Sequence, residues 1–81
     1  METEVTVLLK DVENAKRFVA ESEKFKGDID LLSGRYIVNA KSILGVLSLV
    51  LTEEMTAQIH TDDPEEINRF PEVMKQFEAG K

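Results

Sequence analysis

Between Val38 and Leu49 the sequence reads VNAKSILGVLSL, and its apolar period changes at Ser42. Before the serine, Val38 and Ala40 alternate with Asn39 and Lys41, as along a half-buried strand. After it, Ile43, Leu44, Val46, Leu47 and Val50 fall at the spacing of one helix face, although Gly45 costs such a helix about 1 kcal/mol. A strand cannot run on into a helix and keep its apolar side on the same core. The chain must therefore turn at Ser42, a residue type that caps helix N-termini.

The same switch of period recurs along the chain. Glu2 to Leu9 carries Val5, Val7 and Leu9 at period two, broken late by Leu8, and reads as a strand. Asp11 is a good N-cap, and Val12, Ala15, Phe18, Val19, Ser22 and Phe25 then recur every three or four residues among polar neighbours. This predicts an amphipathic helix ended by Gly27. Asp28 to Leu32 and Arg35 to Ala40 predict two strands joined at Ser33-Gly34 as a hairpin. Met55 to Thr61 alternates again and predicts a fourth strand. Asp63, Pro64 and Glu66 stand where an N-cap, a first helical proline and a capping glutamate are favoured. Ile67, Phe70, Val73, Met74 and Phe77 supply the apolar face of that last helix. Pro71 interrupts it at a cost of ~3 kcal/mol, which predicts a kink or a restart there. Gly80 and Lys81 read as a tail.

The order β-α-β-β-α-β-α in 81 residues predicts one α+β domain over residues 1–81, a four-stranded antiparallel sheet with three helices on one face. A chain this short buries only a little over ~60% of its extended surface. It has no cysteine, so neither a disulfide nor a thiolate metal site can supplement that core. The net charge of −6 disfavours nucleic acid and anionic membranes as partners. No apolar run approaches the ~20 residues that span a bilayer. The acidic start METEV lacks the features of a signal peptide, so the expected location is the cytoplasm.

The central stretch resembles the best-known signature of the HPr family, the histidine-containing phosphocarriers of the bacterial sugar phosphotransferase system. In that family a serine follows Asn-x-Lys and precedes a run such as Ile-Met-Gly-Val-Met-Ser-Leu. Asn39, Lys41, Ser42, Ile43, Gly45, Val46, Ser48 and Leu49 match it, with Leu44 and Leu47 where methionine is common. The resemblance extends without gaps from about Ala15 to Phe77 and implies the HPr fold, an open-faced β-sandwich. It implies a protein that is not an enzyme, needs no cofactor or metal, and works as a monomer or weak dimer through protein partners. Those partners would be phosphotransferase-system proteins, an HPr serine kinase or a transcriptional regulator.

The departure from the family is as informative. HPr carries phosphate on a histidine at the start of its first helix, in a motif like His-Ala-Arg-Pro-Ala. This chain has Asp11-Val12-Glu13-Asn14-Ala15 there, after a loop that looks shortened. Carboxylates at the positive end of a helix repel a phosphoryl group, so transfer from enzyme I is not expected. His60, the only histidine, lies near the end of the fourth strand and is expected to face solvent.

Ser42 is expected to cap its helix. In many relatives from Gram-positive bacteria the matching serine is phosphorylated by a dedicated kinase, and the resemblance extends that regulation to Ser42. It also assigns partner docking to Lys41, Ile43, Leu44 and Leu47. The expected role is a non-catalytic regulatory or interaction module. The competing readings are a phosphocarrier with an unconventional acceptor, and an HPr fold recruited to an unrelated task, such as pairing through a sheet edge. The clusters Glu53-Glu54, Asp62-Asp63 and Glu65-Glu66 read as solvated turn and cap residues. Lys16, Arg17, Lys24 and Lys26 read as partners of Glu13 and Glu21 at i,i+4 spacing.

Overall fold

The alternating stretches become strands and the three- and four-spaced ones helices in the computed structural model, which describes residues 3–79. Strand β1 is Glu4–Val7, helix α1 Val12–Ser22, β2 Asp28–Ser33, β3 Tyr36–Asn39, α2 Ile43–Leu47, β4 Met55–His60 and α3 Pro64–Met74, continued by a 3-10 turn at Lys75–Phe77. Glu2, the start of the expected first strand, and the tail Gly80-Lys81 lie outside the described residues.

The four strands pair in the order β1-β4-β2-β3, antiparallel throughout. Their register sorts the side chains into two faces. Val5, Ala57, Leu31 and Val38 form one row across the sheet, and Ile29 with Ile59 and Val7 with Met55 extend it. The three helices cover this face. The opposite face carries the rows Glu4–Gln58–Asp30–Asn39 and Thr6–Thr56–Leu32–Ile37 and is open to water. Phe18, Phe70, Leu9, Ile29, Leu31 and Met74 fill the space between sheet and helices. Edge-to-face pairs Phe18–Phe77 and Phe25–Phe70, with centroids 5.5 and 5.8 Å apart, add about 0.5–1.5 kcal/mol each beyond their burial.

The hairpin has a local cause and the β1 edge a distant one. Gly34 takes a φ of +59°, so the tight turn falls on Gly34-Arg35 and β2 runs on through Ser33. The outer edge of β1 is covered by the segment after α3: the Leu8 N–H donates to the Phe77 carbonyl at 2.8 Å and the Ala79 N–H to that of Thr6 at 3.2 Å. β3 is the other edge and pairs only with β2.

Two helices differ from expectation. α1 stops at Ser22 rather than running through Phe25 to Gly27. Phe25 is still buried, but from the loop that follows, where it meets Phe70. Gly27 does not end the helix. A Cβ there would lie 2.8 Å from Thr61 Cβ and 2.9 Å from the His60 carbonyl oxygen, so the absent side chain lets the loop pass against the end of β4. Gly27→Ala is expected to cost about 1–3 kcal/mol by overpacking, read as a lower urea midpoint at unchanged slope. The last helix continues through Pro71 without a restart. Ile67, Phe70 and Met74, all buried, hold both sides of the proline against the sheet, and that burial outweighs the lost backbone bond. α2 is shorter than the apolar run, which leaves it after Leu47.

Candidate functional site

The segment around Ser42 is built residue by residue from its sequence. Asn39 turns the chain out of β3: its side-chain oxygen accepts from the Lys41 N–H at 2.8 Å and its carbonyl from the Ser42 N–H at 2.9 Å. Ser42 keeps extended backbone angles, and its hydroxyl oxygen accepts from the Gly45 N–H at 3.2 Å. That is the expected N-cap, worth about 1 kcal/mol. Gly45 is small for a reason that helix propensity does not reveal. A Cβ on it would lie 3.3 Å from both Ser42 Oγ and Val38 Cβ, so its absence leaves room beside the hydroxyl and lets α2 sit on β3. The Ser48 hydroxyl donates to the Gly45 carbonyl at 2.6 Å beyond the last turn.

A helix this short is anchored by one buried residue, Val46. The proposed docking residues divide around it. Leu44 is 79% exposed and Leu47 36%, whereas Ile43 is half-buried and packs on the core. Lys41 does not project outward with them. Its ammonium donates to the Phe25 carbonyl at 2.7 Å, on the loop that follows α1.

At the start of α1, Asp11 caps the helix by accepting from the Asn14 N–H at 2.9 Å. Lys10 before it holds a φ of 77°, a strained conformation for a residue with a side chain, while its N–H donates to the Leu51 carbonyl at 2.8 Å. The exposed carboxylates of Asp11 and Glu13 therefore sit at the positive helix end. The nearby basic side chains are each taken up by a neighbour. Lys16 pairs with Glu13 at 3.9 Å and Lys24 with Glu21 at 3.2 Å, both at i,i+3 rather than i,i+4 spacing. Arg17 donates to Asn14 and Gln76 and stacks over the Phe77 ring. His60 faces solvent with its Nε2 2.9 Å from Asp30 Oδ2, and its carbonyl lies beside Gly27, at the opposite end of α1 from Asp11.

Sequence reasoning missed one residue outright. Glu66 is not a solvated cap: it is 4% exposed, and its carboxylate accepts from the Lys26 N–H at 2.6 Å and the Gly27 N–H at 3.0 Å. The bond from Lys26 chiefly holds its pKa below the usual carboxylate range; burial opposes, and the Gly27 N–H, Arg69 and Lys41 assist. The signal was present, since Glu66, Phe70 and Met74 are spaced by four on one helix row. Tyr36 and Ile37 are a second omission. Both are largely exposed and, with Val50 and Glu53, line a groove between the β3 edge and the segment after α2. No helix among the described residues is long and apolar enough to cross a membrane.

Comparison with known proteins accounts for this arrangement. A family model for the phosphotransferase-system HPr component phosphorylation site matches residues 3–79. A phosphocarrier protein HPr from Bacillus anthracis is 30% identical, with a TM-score of 0.73 and 93% of each chain covered. HPr-C-His from Thermoanaerobacter tengcongensis is 28% identical with the same TM-score and coverage. A histidine-containing phosphocarrier protein of Mycoplasma, at 20% identity and a TM-score of 0.72 over 90% of this chain and 88% of that one, shares the fold. No curated protein matches the chain.

Proposed function

The chain belongs to the HPr family of the phosphotransferase system, and from that premise we propose that it is a non-catalytic regulatory module controlled by phosphorylation of Ser42. It acts in the cytoplasm and docks protein partners through Ile43, Leu44 and Leu47. The observation that carries this reading is the contrast between the two helix starts. At α1 the positive helix end is occupied by Asp11 and Glu13, and the single histidine sits at the far end of the helix. At α2 the serine hydroxyl is half-buried, with a glycine beside it and an exposed leucine two residues on. Adding ≈ −1.5 to −2 charges to the N-terminal side of α2 is electrostatically favourable, whereas adding them beside Asp11 and Glu13 is not.

Two labelling reactions test it. With enzyme I and phosphoenolpyruvate the chain should stay unlabelled. With an HPr serine kinase and ATP it should take up one phosphate, and Ser42→Ala should abolish the uptake. Label from phosphoenolpyruvate would instead identify a carrier with an unconventional acceptor. A wild-type chain left unmodified by cognate kinases would remove Ser42 as the control point.

A further inference from the structure

The loop from Lys24 to Gly27 has no regular structure of its own, and its backbone is held by charged side chains from two distant parts of the chain. The Lys24 carbonyl accepts from Arg69 at 3.3 Å, and the Arg69 guanidinium lies 4.5 Å from the Phe25 ring centroid. The Lys26 and Gly27 N–H groups donate to Glu66. The Phe25 carbonyl accepts from Lys41. The first two clamps come from α3. The third comes from the residue immediately before Ser42, whose own N–H is fixed by Asn39. Lys41 is thus shared between the turn that presents Ser42 and a loop at the other end of the helical layer from Asp11.

From these contacts we infer that Lys41 is a relay: its ammonium holds the Phe25 carbonyl while Ser42 is unmodified, and a phosphate on Ser42 draws it away and loosens the Lys24–Gly27 loop. The inference rests on the phosphorylation of Ser42 proposed above. The direction follows from charge. A phosphoserine presents nearly two negative charges on the neighbouring residue, against the partial charge of one neutral carbonyl. Lysine, a point charge on a flexible stem, reorients readily toward a stronger anion next to it. The surface of this loop would then differ between the two states, giving a partner a second place to read the modification.

Amide hydrogen exchange at Lys26 and Gly27 tests this in the full chain, with phosphoserine installed at position 42 by semisynthesis so that no kinase is required. Both amides should exchange severalfold faster than in the unmodified chain. Lys41→Met should produce the same acceleration without phosphate, and phosphoserine should add nothing further in that background. Lys41→Arg, which keeps a cation on a long stem, should restore slow exchange in the unmodified chain. Unchanged exchange on phosphorylation, or equal acceleration with and without Lys41, would overturn the relay. So would slow exchange in Lys41→Met. None of these outcomes bears on whether a kinase modifies Ser42, which the labelling reactions decide separately.

Discussion

Glu66→Ala is expected to destabilise the fold by roughly 1–3 kcal/mol, because the part-buried Lys26 and Gly27 N–H groups lose a charged acceptor that water only partly replaces. Small domains are stable by only about 5–15 kcal/mol, so the variant should unfold at much lower urea or temperature. The size of the effect comes from position. The side chain is almost fully buried, and its two oxygens are divided between Lys26 and Gly27. No other acceptor is bonded to either N–H among the described residues. Glu66→Gln should cost less, because its amide oxygen still serves one of the two N–H groups while its NH2 faces the other.

The same pair of variants gives a pH signature with a definite sign. The folded-state pKa of Glu66 is depressed, chiefly by the bond from Lys26. A depressed carboxylate contributes stability that is present above its unfolded-state pKa and is lost as the pH falls through the folded-state value. Wild type should therefore lose stability on acidification more steeply than Glu66→Gln, and their difference should narrow at the acid end. Denaturant melts across the acidic range measure this directly. Parallel pH profiles for the two chains would show that the carboxylate is not titrating against the loop.

Glu66 also marks where reading the sequence stopped short. Elements came through because each has a local cause: period-two apolar residues for the strands, Asp11, Ser42 and Asp63 for the helix starts, and Gly34 for the hairpin. The Ser42 cap and the exposure of His60 were legible for the same reason. What failed was decided by contacts far apart in sequence. Glu66 looked like a cap because Asp63 and Pro64 precede it, yet its partners lie near residue 26. Gly27 looked like a helix stop, yet it is small because Thr61 and His60 are there. Phe25 fitted the helical spacing but is buried from a loop, and Pro71 is tolerated because its neighbours are pinned in the core. Lys41 matched a motif whose members looked outward, and only the fold shows it turned toward Phe25.

Leu44 is where the docking half of the proposal can fail most visibly. Leu44→Asp should leave the thermal melt nearly unchanged, since the side chain is 79% exposed and a carboxylate in the first turn of a helix suits the dipole. If the α2 face anchors a partner, replacing a central apolar anchor by a charge should cost binding about 2 kcal/mol or more, roughly a thirtyfold loss. With an HPr serine kinase as that partner, the loss belongs in KM. The Ser42 hydroxyl keeps its bond to the Gly45 N–H, so the phosphorylated atom stays in place and kcat should change little. Ile43→Asp is the instructive contrast: Ile43 packs on the core, so that change should lower both stability and phosphorylation. An unchanged kcat/KM for Leu44→Asp would mean that the kinase reads Ser42 without the leucine face. The exposed groove of Tyr36, Ile37 and Val50 between the β3 edge and the segment after α2 would then be the surface to substitute next.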